Sequence, residues 1–258
     1  MSTVISKDGS KVAYEKSGSG PALVIVSAMP DRSANGPLVE LLARHFTVYN
    51  YDRRGRGGTE DAKPYAVERE FEDLEAILEE AGGAAYVYGS SGMGVFALNA
   101  AASGLNDKFT KLAVWEPPFI IPGTRPPVSA DYKQQQEKLL AESRHGDMAE
   151  LFLTAAVGLP VEFVKPMRDF PGWSAFEASA PALIHDAEVI GDFSIPGKLK
   201  NVTTPTLVLD GGTTPWLTTG SDELAKVLPN ATRQTLAGQQ HNVEATAIAP
   251  SLETFFLG

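Results

Sequence analysis

The sequence predicts an α/β protein in which helices cover both faces of a mostly parallel sheet. Three observations support this prediction: apolar runs typical of buried strands, helical patterns between them, and a Gly- and Ser-rich turn joining one strand to one helix. Strands that alternate with helices pair in parallel, because each helix carries the chain back to the start of the next strand. The 258 residues suffice for one large domain.

Eight segments have strand patterns. The first two, 4–6 and 11–15, flank the turn Lys7-Asp8-Gly9-Ser10 and predict a hairpin. The others are mainly apolar or aromatic runs, as expected for strands with little contact with water. They cover residues 22–26, 46–51, 86–88, 111–115, 205–210 and 233–236.

Helical patterns lie between these strands. The clearest runs from Val67 to Glu80, with apolar residues on one face, and ends at Gly82-Gly83. Further helices are predicted at 37–42, 95–102, 221–228 and 245–256.

The composition changes between Phe119 and about Lys200. Repeated prolines interrupt short helical patterns, such as 132–143 and 148–157, and no strand pattern occurs. We therefore expect a helical insertion after the sixth strand.

Composition excludes several functions. The net charge of −10 argues against nucleic acids and anionic membranes as partners. Cysteine is absent and histidine occurs four times, so we predict no disulfide, no thiolate chemistry and no metal site. The first residues lack signal-peptide features and no apolar run approaches the roughly 18 residues of a membrane span. We expect a cytoplasmic protein without a cofactor; its oligomeric state is left open.

The turn after the fifth strand carries the main candidate chemistry. Gly89 precedes Ser91 by two residues, and an apolar helix pattern follows. This is the layout of a nucleophile elbow, in which a tight turn exposes the serine hydroxyl and the helix N–H groups face a developing oxyanion. Met93 stands where a second glycine is usual, and Gly94 comes one place later. An ordinary strand–helix connection is the alternative.

The register of this turn has a second solution. If Ser90 were the nucleophile, Gly92 would be correctly placed two residues after it, but Tyr88 would occupy the position that requires a small residue. Ser91 is therefore preferred.

A second Gly-rich stretch, Asp52 to Thr59, is basic and follows the fourth strand. A phosphate-binding loop is one interpretation, but the Lys-Ser/Thr ending of a P-loop is absent, and so is G-x-G-x-x-G. Nucleotide binding is not favoured.

Taken together, these landmarks resemble the α/β-hydrolase superfamily. Gly20-Pro21 precedes the third strand, Asp52-Arg53-Arg54-Gly55-Arg56-Gly57 resembles the D-x-R-G-x-G loop, Gly89-x-Ser91 lies at the elbow, and His241 follows the last strand. The resemblance implies an eight-stranded α/β-hydrolase core formed by residues 1–117 and 199–258. It also implies that residues 118–198 form a helical cap, and that Ser91 is the nucleophile.

The resemblance also implies a base and an acid. His241, the only late histidine, would be the base. Most of the family carries the acid after the seventh strand, where this chain has Gly211-Gly212, with Asp210 just before. The other known place is directly after the sixth strand, which is Glu116 here, as in zearalenone-type lactonases of this fold. We predict Glu116 as the orienting acid and keep Asp210 as the alternative.

The oxyanion hole is expected to combine the N–H of Gly92 with that of Met29. Many family members have His-Gly in the latter loop, whereas this chain has Ser27-Ala28-Met29-Pro30. Aromatic residues expected to line an apolar pocket are Trp173, Phe176, Phe193 and Trp216.

These residues predict a serine hydrolase acting on a small-molecule carboxylic ester or lactone. Two other uses of the fold stay open: a non-hydrolytic enzyme (a lyase, a cyclase or a tailoring enzyme of small-molecule biosynthesis) and an inactive binding protein.

Overall fold

The computed structural model describes residues 1–28 and 30–258. Eight strands form one sheet in the order β1-β2-β4-β3-β5-β6-β7-β8. The strands are β1 (Ser2–Ile5), β2 (Lys11–Ser17), β3 (Ala22–Val26), β4 (Thr47–Tyr51), β5 (Ala85–Ser90), β6 (Phe109–Trp115), β7 (Thr206–Asp210) and β8 (Ala231–Thr235). The β1–β2 and β2–β4 pairs are antiparallel and all other neighbours are parallel, as the sequence predicts.

Ten α-helices surround or extend this sheet in the described residues. They are α1 (Gly36–Leu42), α2 (Val67–Glu80), α3 (Gly92–Ala100), α4 (Tyr132–Ala141), α5 (His145–Leu151), α6 (Val161–Val164), α7 (Trp173–Ser179), α8 (Leu183–Ile190), α9 (Pro215–Val227) and α10 (Ala245–Leu257). None of the helices in residues 1–28 and 30–258 combines the length and the apolar character needed to cross a bilayer.

The sheet separates two apolar layers. Successive residues of a strand point to opposite faces, so Val24 packs into one layer and Leu23 and Ile25 into the other. The first layer is closed by α2, α3 and α9, and the second by α1 and α10. Because both faces of the central strands are buried, their sequences are almost continuously apolar.

Helices α4 to α8 all lie between β6 and β7. Every residue from 116 to 205 is described, and none of them is in a strand. A π-helical turn, Phe152–Val157, continues α5, and two apolar clusters of their own hold these helices together.

Two helices begin earlier than the sequence predicts. Helix α3 begins at Gly92 rather than Val95, and α9 begins at Pro215 rather than Ser221. Glycine and threonine are poor helix formers, which hides both first turns from sequence analysis. In α9, close packing explains the glycine. A Cβ on Gly220 would lie 2.4 Å from the carbonyl oxygen of Phe119, so only glycine permits this contact.

Candidate active site

Ser91 occupies a strained turn between β5 and α3. Its φ of 55° and ψ of −131° are uncommon for a residue with a side chain. The backbone N–H of Ser91 donates to the carbonyl oxygen of Trp115, 2.7 Å away, which holds the turn against the end of β6. The turn also requires a glycine before it, because a Cβ on Gly89 would lie 2.4 Å from the carbonyl oxygen of Met93.

Gly94, rather than residue 93, makes the close approach on the helix side of the turn. A Cβ on Gly94 would lie 3.2 Å from both the Gly89 carbonyl oxygen and Val114 Cβ. Met93 is buried, and its sulfur lies 2.8 Å from Arg53 Nη1. The glycine that comes one place late in the sequence is therefore accounted for by packing against β5 and β6.

His241 lies in the loop after β8 and reaches the serine. Its Nε2 is 3.0 Å from Ser91 Oγ. The indole N–H of Trp115 donates to the His241 carbonyl oxygen at 2.8 Å, which ties this loop to the end of β6. Of the two neighbouring serines, Ser91 is the one whose hydroxyl contacts the imidazole, whereas Ser90 ends β5.

Glu116 follows β6 directly, is fully buried and has a φ of 42°. Its Oε2 is 2.7 Å from His241 Nδ1, and its Oε1 accepts a 3.0 Å hydrogen bond from the N–H of Gly211. Gly211 makes this possible: a Cβ there would lie 1.9 Å from the carbonyl oxygen of Gln239, in the histidine loop. Gly211 stands where most of the family carries the acid. It thus supplies a hydrogen-bond donor to Glu116, which follows the neighbouring strand β6.

Asp210 has other partners. It is buried at the end of β7, accepts hydrogen bonds from Thr218 and Thr235, and lies 2.8 Å from Arg233 Nη1. Burial by itself would raise the pKa of Asp210, but the hydrogen bond from Arg233 and those from the threonines outweigh it and hold that pKa below its ordinary value. The structure therefore places Asp210 in an ion pair between β7 and β8.

The loop after β3 approaches the same site. Ala28 lines the cavity described below, and Met29 lies outside the described residues. A polar cluster anchors the flanking chain: Ser27 Oγ is 3.0 Å from Asn50 Oδ1, and the side-chain amide of Asn35 donates to both. The sequence pattern did not single out this cluster, because its three residues are far apart in the chain. On the other side of the site, Gly92 begins α3 and therefore has a backbone N–H with no partner inside the helix.

A mainly apolar cavity of about 510 Å³ opens beside Ser91 and His241. Phe176, Phe193 and Trp216 line it. Trp173 is not among the described lining residues and packs with Met148 and Leu183 in a separate cluster of the helical segment. The guanidinium of Arg125 lies 4.7 Å from the centre of the Trp216 ring and stacks on it.

Sequence reasoning missed one charged residue of this cavity. Asp186 lies on α8, in an apolar helix between Leu183 and Ile190, and it lines the cavity with Ser91. A carboxylate in such a helix is the signal that could have found it, since charged side chains are seldom buried unless they are paired.

Comparisons with known proteins identify the family and the fold. A profile of the alpha/beta hydrolase family matches residues 23–249. An alpha/beta hydrolase from Sphaerobacter thermophilus is 49% identical, with 99% of this chain and 100% of that chain covered and a TM-score of 0.93. A thermophilic esterase from Thermogutta terrifontis is 20% identical over 99% and 97% of the two chains, with a TM-score of 0.75. The enol-lactonase from Burkholderia xenovorans is 20% identical over 100% of both chains, with a TM-score of 0.72. These similarities confirm the predicted fold, and the chain belongs to the alpha/beta hydrolase family.

Proposed function

We propose that this protein is a serine hydrolase that cleaves carboxylic esters or lactones through an acyl-enzyme on Ser91. The observation that carries the proposal is the line of contacts from Ser91 Oγ to His241 Nε2, 3.0 Å, and from His241 Nδ1 to Glu116 Oε2, 2.7 Å. A nucleophile, a base and an orienting carboxylate in hydrogen-bond contact suit acyl transfer.

In the first half of the reaction, Ser91 Oγ attacks the substrate carbonyl carbon while His241 Nε2 takes the hydroxyl proton. The carbonyl oxygen becomes an oxyanion, for which the N–H of Gly92 and that of Met29 are the proposed donors. The tetrahedral intermediate then collapses, and His241 returns the proton to the leaving alkoxide. This half yields the acyl-serine ester and an alcohol; with a lactone, the alcohol group stays attached to the acyl chain.

In the second half, a water molecule attacks the acyl-serine while His241 takes its proton. Collapse of this intermediate restores the Ser91 hydroxyl and releases the carboxylic acid. Glu116 holds His241 in the tautomer whose Nε2 can accept a proton. The hydrogen bond from the Gly211 N–H to Glu116 supports this role, because it fixes the position of the carboxylate beside His241.

The apolar cavity supports an ester or lactone with a hydrocarbon-like body. An esterase and an enol-lactonase are among the proteins of similar fold. We also propose that residues 118–198 act as a cap over a core of residues 1–117 and 199–258. Support comes from Phe152, Phe176 and Phe193, which belong to this segment and line the same cavity as Ser91.

A fluorophosphonate probe tests the proposal, with the intact mass and the labelled peptide as readouts. We expect one adduct, on Ser91, that is lost in His241→Ala and kept in the matched variant Ser90→Ala. Absence of any adduct on the folded native protein would contradict the proposal and favour a non-hydrolytic use of the site. An adduct on Ser90 would move the nucleophile by one residue.

A further inference from the structure

Asp186 gives the cavity an unexpected chemical character. The residues that surround the cavity beside Ser91 are mainly apolar, yet Asp186 is one of them, and about 10% of its side chain is exposed. Within residues 1–28 and 30–258, it is the only Asp, Glu, Lys or Arg among the residues that line the cavity.

Two arginines hold this carboxylate. Arg53 Nη1 donates to Oδ1 and Arg56 Nη2 donates to Oδ2 of Asp186, each at 2.7 Å. Arg53 also makes two 2.7 Å hydrogen bonds to Glu70. Two cations and two carboxylates therefore balance in this cluster, and neither arginine is among the described residues that line the cavity.

The carboxylate of Asp186 is charged and can accept further hydrogen bonds. Burial would raise the pKa of Asp186, but Arg56 and Arg53 outweigh it and hold that pKa below its ordinary value. Each carboxylate oxygen accepts one arginine hydrogen bond, whereas a carboxylate offers about four acceptor positions. An ionised acceptor that faces an apolar cavity is stabilised by a ligand group that donates a hydrogen bond to it.

We propose that Asp186 determines substrate specificity: the site selects uncharged, largely apolar esters or lactones that carry a hydroxyl at the end remote from the carbonyl, and it rejects substrates with a carboxylate there. This inference rests on the proposed hydrolase function. It goes further by assigning a recognition role to a residue outside the Ser91, His241 and Glu116 contacts.

A purely structural role makes a different prediction. If Asp186 only linked α8 to the loop that carries Arg53 and Arg56, its removal would change stability and overall activity but not the order of preference among substrates. Substrate discrimination is therefore the decisive readout.

Three matched esters test the proposal: ethyl hexanoate, ethyl 6-hydroxyhexanoate and monoethyl adipate, with the matching series two carbons shorter and two carbons longer. We expect kcat/KM for the best hydroxyl ester to exceed that of its methyl-ended match by about 10-fold, as for a hydrogen bond to a charged group. We expect kcat/KM for the carboxylate ester to be about 100-fold lower than for the hydroxyl ester, because the substrate carboxylate and Asp186 would repel each other in a partly desolvated site.

In Asp186→Asn, kcat/KM for monoethyl adipate should lie less than about 10-fold below that for the hydroxyl ester. Without the negative charge of Asp186, Arg53 and Arg56 would attract an anion. Glu188→Gln is the matched control: it removes one negative charge from the same helix, where Glu188 pairs with Lys133, and should leave the order of preference unchanged. Equal turnover of the hydroxyl and carboxylate esters by the native protein, at every chain length, would overturn the proposal. So would a hydroxyl that brings no gain over methyl.

Binding to Ser91→Ala separates this inference from the hydrolase proposal. Isothermal titration calorimetry with the same intact esters gives their Kd values without turnover, and we expect the same order of preference. If the native protein hydrolyses no ester, the proposed function fails, while the Kd order still tests the preference for the hydroxyl ester. If Asp186→Asn does not fold, a Kd order without that preference would still overturn the proposal.

Discussion

Glu116 and His241 are 125 residues apart in the chain, yet Oε2 of the one lies 2.7 Å from Nδ1 of the other. The carboxylate comes from the end of β6 and the imidazole from the loop after β8. Parallel strands bring these two points to the same edge of the sheet, which is where sites form in such folds. This contact supports the proposal that Glu116, rather than Asp210, is the orienting acid.

Glu116→Gln should lower kcat for ester hydrolysis by about 10³- to 10⁴-fold, as in serine proteases that lose the orienting carboxylate. Glutamine keeps the shape of the Glu116 side chain but no longer stabilises the imidazolium of His241. Steady-state kinetics on a 4-nitrophenyl ester measures the effect. Asp210→Asn is the control, and a larger loss in that variant would transfer the role of the acid to Asp210.

Asp210→Asn should instead lower stability, by about 1–3 kcal/mol, because Arg233 loses the charge of its partner. The pH dependence has a definite sign. The folded-state pKa of Asp210 lies below its unfolded value, so its contribution is complete above about pH 4 and is lost as pH falls through the folded pKa. Urea unfolding of both proteins from pH 7 down to pH 3 checks this. Parallel stability curves in the acid range would contradict it.

His185 should make the fold less stable in mild acid. Its ring stacks on Tyr65 with centroids 3.8 Å apart, and burial lowers the pKa of this histidine, with Asp61 and Glu70 opposing and Lys63 adding to the shift. Above about pH 6.5 both states are neutral, whereas below it the unfolded chain takes up a proton first and the free energy of unfolding falls. Between pH 7 and pH 5, the Tm of His185→Phe should fall less than the Tm of the native protein. An equal fall in both proteins would show that His185 does not cause the loss of stability in acid.

Gly89→Ala should abolish activity and lower Tm, because its Cβ would lie 2.4 Å from the carbonyl oxygen of Met93, which is backbone and cannot turn away. Relief requires a backbone shift in the turn that holds Ser91, and such overpacking typically costs about 1–3 kcal/mol. Thermal unfolding and fluorophosphonate labelling measure both effects. Gly197→Ala is the control, since no atom lies within 4 Å of its added Cβ. Native-like labelling of Gly89→Ala would contradict the packing argument.

Trp216→Ala should raise KM for an apolar ester more than it lowers kcat, because it removes a cavity wall without touching Ser91 or His241. Trp173→Phe, in its separate cluster, should leave KM unchanged. Initial-rate measurements over a range of ester concentrations separate the two parameters. An equal rise in KM for both variants would show that the change acts through the packing of the helical segment.

Local patterns were sufficient for much of the fold. The predicted strand 22–26 agrees with β3, and the predicted helix 67–80 with α2. A buried strand must be apolar along its whole length, and an amphipathic helix must repeat every 3.6 residues, so both leave a signal in a short window. The first turns of α3 and α9 leave none, since they contain glycines and threonines, which are poor helix formers.

The sequence by itself determined the alternation of strands and helices, the strained turn at Ser91 and the candidacy of His241 and Glu116. The alternation and the turn depend on neighbours within a few residues, whereas the candidacy of His241 and Glu116 rests on the resemblance to the α/β-hydrolase superfamily. Only the tertiary structure decided that Glu116 contacts His241 while Asp210 pairs with Arg233, that Gly94 makes the close approach, and that Asp186 lines the cavity. These are contacts between segments far apart in the chain, and their distances are set by how strands and helices pack together, which no local pattern specifies.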